Sequence, residues 1–80
     1  MVVFIRVIKI LFPRINELRE DNDYSIKYVA DYLTMNRDVY SRYEKGLREI
    51  PVWALIKLSD LYSVPVDYIL GLTDERKKNA

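Results

Sequence analysis

The chain contains no cysteine and no histidine. Disulfides are excluded, and so are the usual zinc sites and any catalytic group built on a thiol or an imidazole. No uninterrupted apolar run reaches the roughly 20 residues that a membrane-spanning helix needs. The most apolar stretch, MVVFIRVIKILF, is broken by Arg6 and Lys9 and stopped by Pro13. It lacks a small-residue cleavage site, which argues against a signal peptide. Repeats and low-complexity segments are absent as well. No sequence pattern organises a base or nucleophile around acidic residues such as Asp60 and Asp67. The sequence therefore reads as non-enzymatic, with no metal ligand set and no cofactor. A cytoplasmic location is the expectation.

What is present suffices for one small domain. Half of the 80 residues are hydrophobic, enough for a modest core and too many for a disordered chain. The net charge of +1 hides a separation. Residues 36–48 carry Arg37, Arg42, Lys45 and Arg48 against Asp38 and Glu44. Residues 49–75 carry Lys57 against Glu49, Asp60, Asp67, Asp74 and Glu75. Such an asymmetry speaks about partners rather than about fold.

Local signals place five helices. Pro13 suits the first turn of a helix running to about Asp21, with Ile15 and Leu18 on one face. DNDYS is a break, and Ser25 caps a second helix, IKYVADYL, whose Val29 and Leu33 face the core. After the three-residue break TMN, Asn36 caps a third helix that Gly46 ends in a left-handed conformation. Pro51 opens a fourth helix and Pro65 a fifth, which Gly71 closes. Short connections between helices predict an all-α bundle. Residues 1–12 form an apolar extension whose Val and Ile content reads as a strand, paired with a second copy or packed on the helices. A disordered or helical extension is the other reading. Residues 13–72 form the helical domain, and 73–80 are a polar tail expected to fray.

Two short helices joined by a tight turn form a helix-turn-helix. The run SIKYVADYLTMNRDVYSRYEKGLREIP resembles the Cro/repressor type, which includes lambda repressor and the Xre-like regulators. Ser25, Ala30, Met35, Asn36, Tyr43-Glu44-Lys45-Gly46 and Pro51 carry the resemblance, and VPVDYILGL is similar to the family's fifth helix. The likeness covers roughly residues 14–72. It implies a five-helix lambda-repressor-like fold and a partner of double-stranded DNA. It also implies a basic partner for Glu44 on the first helix, which here is Arg19. Two positions depart from the pattern. Ile26 stands where a phosphate-touching Gln is frequent, and Thr34 where the turn often has Gly.

With that register, the outer side of the third helix becomes the candidate site. Arg37, Asp38 and Arg42 are placed to read bases, since Arg matches guanine bidentately and Asp accepts from cytosine. Ser25, Ser41, Lys45 and Arg48 are placed for phosphates, which fix register without carrying sequence information. The implied function is a sequence-specific DNA-binding transcriptional regulator, acting as a homodimer, with no membrane contact and no small-molecule ligand. The alternative is a protein-interaction module on the same fold, of antitoxin or anti-repressor type. Two further features are ambiguous. Tyr24, Tyr28 and Tyr32, spaced by four, read as half-buried packing or as a stacking surface. Trp53 reads as a contact surface or as a ring lying over neighbouring stems.

Overall fold

The computed structural model describes residues 12–77. Residues 1–11 of the N-terminal extension, and with them the expected strand, lie outside the described residues. The rest is an all-α bundle of five helices: α1 (Pro13–Asp21), α2 (Ile26–Tyr32), α3 (Arg37–Glu44), α4 (Val52–Tyr62) and α5 (Val66–Leu70). No strand occurs among the described residues.

Each helix begins where its sequence supplies a start. Pro13 occupies the first turn of α1, where its missing N–H costs nothing. The Ser25 hydroxyl accepts from the Tyr28 N–H at 2.9 Å, and Asn36 Oδ1 accepts from the Asp38 N–H at 2.7 Å. Pro51 and Pro65 sit immediately ahead of α4 and α5 in extended conformation. Each end satisfies some of the orphan N–H groups or removes the need.

The helix ends share one device. After each helix a backbone N–H reaches back five residues: Tyr24 to Arg19, Met35 to Ala30, Leu47 to Arg42, Val64 to Ser59 and Leu72 to Asp67. This closure satisfies an orphan carbonyl and requires a left-handed residue just before the donor. Gly46 and Gly71 supply it in two cases. Asp23, Thr34 and Ser63 supply it in the others, with φ of 57°, 58° and 54°. The turn between α2 and α3 thus keeps the tight left-handed geometry although Thr34 carries a β-branched side chain.

The core draws on every element. Ile15 and Leu18 come from α1, Val29, Ala30 and Leu33 from α2 and its end, Tyr40 from α3, Ala54, Leu55 and Leu58 from α4, and Tyr68 and Ile69 from α5. Ala30, fully buried, lets α3 pack closely on α2, and α1 bridges α3 and α5. Buried Ser59 donates to the Val64 carbonyl, so its polarity is spent inside the α4–α5 turn. The start of the polar tail is tied down rather than frayed. Arg14 donates to the Tyr68 and Thr73 carbonyls and pairs with Asp74. Arg76 donates to the Tyr68 hydroxyl and pairs with Asp21. Both guanidiniums lie over the Tyr68 ring, at 4.1 and 5.1 Å.

Candidate nucleic-acid interface

Helix α3 has a buried side and an open side. Tyr40 is fully buried and Tyr43 packs partly against the core. Arg37, Asp38, Arg42 and Lys45 are exposed, Ser41 is half-buried, and Arg48 is exposed in the loop that follows. The helix therefore shows the outside a row of charges and one hydroxyl.

The cations of the described residues divide by what they do. Arg14, Arg19, Lys27 and Arg76 form ion pairs, and Lys57 lies 5.8 Å from the centre of the Tyr32 ring. Arg37, Arg42, Lys45 and Arg48, and in the tail Lys77, make no side-chain hydrogen bond or ion pair among the described residues. The side chain of Asp38 has no such partner either. Its place in the first turn of α3 lets it interact favourably with the helix dipole.

An open depression separates the start of α2 from the start of α3. Ser25, Ile26 and Lys27 line one side, Arg37, Asp38 and Ser41 the other, with Arg19 also contributing. Ser25 already accepts the Tyr28 N–H, which leaves its hydroxyl proton to donate outward. Ile26 presents only carbon to this depression, so no side-chain amide braces α2 against α3 there.

The inner end of α3 is fixed by Glu44. Arg19 Nε donates to one carboxylate oxygen at 2.7 Å and its Nη2 to the other at 3.2 Å. The two side chains are 14% and 7% exposed. Arg19 also donates to the Tyr24 carbonyl at 3.0 Å. Two further donors reach Glu44: the Asn16 amide at 3.0 Å and the Tyr40 hydroxyl. A bidentate fork plus two donors satisfies both carboxylate oxygens. The hydrogen bond to Glu44 holds the Arg19 guanidinium above its ordinary value. Burial first, and then the bond to Glu44, pushes the Tyr40 hydroxyl far up.

Asn16 and Tyr40 are the site residues that sequence reasoning missed. Their spacing carries the signal. Asn16 lies three before Arg19 and Tyr40 four before Glu44, so each shares a helix face with one member of the pair. The tyrosine stripe divides. Tyr24 is half-buried, 4.4 Å from the Tyr28 ring and 6.1 Å from that of Tyr62. Tyr28, Tyr32 and Trp53 are exposed.

A five-helix bundle with α2 and α3 joined by a tight left-handed turn, α3 open on one side, defines a helix-turn-helix protein of the Cro/repressor type. Residues 15–69 match the family described as helix-turn-helix, and the chain belongs to it. Three proteins of Bacillus subtilis (strain 168) are similar. The HTH-type transcriptional regulator ImmR is 38% identical over 86% of this chain and 54% of its own length. The HTH-type transcriptional regulator AnsR is 34% identical over 80% of this chain and 55% of its own. The uncharacterized HTH-type transcriptional regulator YobD is 36% identical over 78% and 55%. The chain thus spans about half the length of the curated relatives it matches. Among the described residues, no helix is long and apolar enough to cross a membrane.

Proposed function

We propose that this protein is a sequence-specific DNA-binding transcriptional regulator that inserts α3 into the major groove as a homodimer. The observation that carries the reading is the set of cations left without internal partners. Among the described residues four of the five lie in or just after α3 and the fifth, Lys77, in the tail, while Arg14, Arg19, Lys27 and Arg76 are ion-paired. Unpaired cations grouped on one helix match a phosphate backbone and the acceptor edges of guanine. The names of the relatives, all HTH-type transcriptional regulators, support the same reading.

Arg37, Asp38 and Arg42 are the base contacts in this proposal. Ser25, Ser41, Lys45 and Arg48 hold phosphates on either side. Ile26, in place of a side-chain amide, removes one phosphate contact and weakens binding. In-vitro selection from a random DNA pool tests the reading by yielding a defined sequence. Arg37→Ala and Arg42→Ala then each cost about 1–3 kcal/mol and relax preference at one position. If both variants bind with unchanged affinity and preference, the recognition role fails. The exposed rings of Tyr28, Tyr32 and Trp53 favour the second reading, a protein-interaction module. A stoichiometric protein partner without salt-dependent DNA binding is its signature.

A further inference from the structure

We propose that Ile26 is a specificity-determining residue that packs against the C5-methyl group of a thymine, beside the base pair read by Arg37. The inference rests on the DNA-binding reading and adds to it an apolar reader on α2. Ile26 is the first residue of α2 and Arg37 the first of α3. Both line the depression between the two helix starts, together with Ser25, Asp38 and Ser41. Among the described residues that line it, Ile26 alone is apolar. Part of its side chain packs against the core, and the rest faces the depression.

The surroundings of Ile26 decide what it can meet. In the proposed complex Arg37 and Asp38 reach base edges while Ser25 and Ser41 hold phosphates. DNA atoms between the backbone and the base edges then fill the space over Ile26. A hydrogen-bonding group brought there would lose its water and find no partner on Ile26. Two of the other lining cations are already engaged, Arg19 by Glu44 and the Tyr24 carbonyl, Lys27 by Asp31. The apolar group on the base edges of the major groove is the thymine methyl. Stiffness favours the contact as well. A β-branched side chain has few rotamers, and partial packing leaves it little entropy to lose. A methyl reader is blind to the rest of the base. It therefore selects thymine or 5-methylcytosine over uracil or cytosine.

The test uses the full-length chain and a duplex obtained by in-vitro selection. Each thymine of that duplex is replaced in turn by deoxyuridine, which removes the methyl group and nothing else. At one thymine, beside the position that Arg37→Ala relaxes, the replacement should weaken binding roughly 3- to 5-fold, the size expected for one buried methyl. At the same position 5-methylcytosine paired with guanine should bind better than cytosine paired with guanine by a similar factor. Ile26→Val should keep this dependence on the methyl group. Ile26→Gln and Ile26→Ala should lose it and bind the thymine and uracil duplexes equally. The first comparison alters the DNA alone, so a change in the folding of a variant cannot imitate it. The proposal is overturned if no uracil replacement weakens binding of the unaltered chain, or if Ile26→Gln keeps the full methyl dependence. In both cases a selected sequence persists and the DNA-binding reading stands. Failure to select any sequence removes that reading and this inference with it.

Discussion

Glu44 shows how a single side chain can hold a helix in place. It is almost buried, it belongs to α3, and its fork partner Arg19 belongs to α1. Burying the two charges costs several kcal/mol each, and the fork plus the Asn16 and Tyr40 bonds offset that cost. Removing one member is therefore worse than removing both. Glu44→Leu or Arg19→Met alone should cost roughly 3–5 kcal/mol in chemical denaturation, while the double variant should lose clearly less than either. Equal losses for the singles and the double would refute this account. Tyr40 adds a pH dependence. Its hydroxyl is held far above the ordinary 10.0, by burial first and by Glu44 second, and burial raises Tyr62 as well. Above about pH 10 the unfolded chain releases these protons and the folded chain keeps them. Stability is thus fully present below pH 10 and falls as the pH rises beyond it. Tyr40→Phe should start roughly 1.5–3 kcal/mol less stable, having lost a bond to a charged acceptor. Its urea midpoint should then fall less between pH 9 and 11 than that of the unaltered chain. The Arg19–Glu44 pair was legible through the family pattern. Asn16 and Tyr40 were not, because satisfying a carboxylate's remaining lone pairs is a three-dimensional requirement spread over two helices.

At the scale of the element, starts were more legible than stops. Ser25 and Asn36 cap through their own side chains, and Pro13, Pro51 and Pro65 act through a fixed φ, so each signal is local to its residue. Gly46 and Gly71 announce their helix ends in the same way. Asp23, Thr34 and Ser63 do not, since nothing in a Thr or Ser demands a left-handed backbone. There the closure back to the residue five earlier is imposed by the packing of the following helix. Thr34 carries the most strain of the three, because a β-branched residue is a true outlier at positive φ. Thr34→Gly should relieve about 1 kcal/mol and raise the melting temperature by a few degrees in a chain of this size. Ser63→Gly should gain less. A lower melting temperature for Thr34→Gly would mean that the loss of unfolded-chain stiffness outweighs the relief. The anchored tail was equally hidden. It depends on Arg14 and Arg76 meeting at Tyr68, residues 54 and 8 positions away from it.

At the scale of the whole molecule, the net charge of +1 says almost nothing and its distribution says a great deal. The unpaired cations of α3 and the loop after it lie in residues 36–48. Residues 49–75, which include α4 and α5, carry Glu49, Asp60, Asp67, Asp74 and Glu75 against Lys57. In the proposed DNA complex, a field of this shape would orient the molecule with α3 toward the phosphates. Salt dependence then becomes a way to count contacts and copies together. Each phosphate neutralised on duplex DNA contributes about −0.9 to the slope of log K against log salt. Lys45 and Arg48 are assigned one phosphate each per protomer. On a selected DNA carrying one half-site, Lys45→Ala should weaken every sequence alike and flatten the slope by about one unit. On DNA with two half-sites whose centres lie about 34–36 Å apart, the same substitution should flatten it by about two, because two copies are bound at once. A spacing half a helical turn longer places the second copy on the opposite side of the duplex, and the slope change should fall back toward one. If Lys45→Ala alters the slope equally on one and two half-sites, the chain reads DNA as a monomer. If it leaves the slope untouched on both, Lys45 makes no phosphate contact and α3 sits differently on the duplex from the placement proposed here.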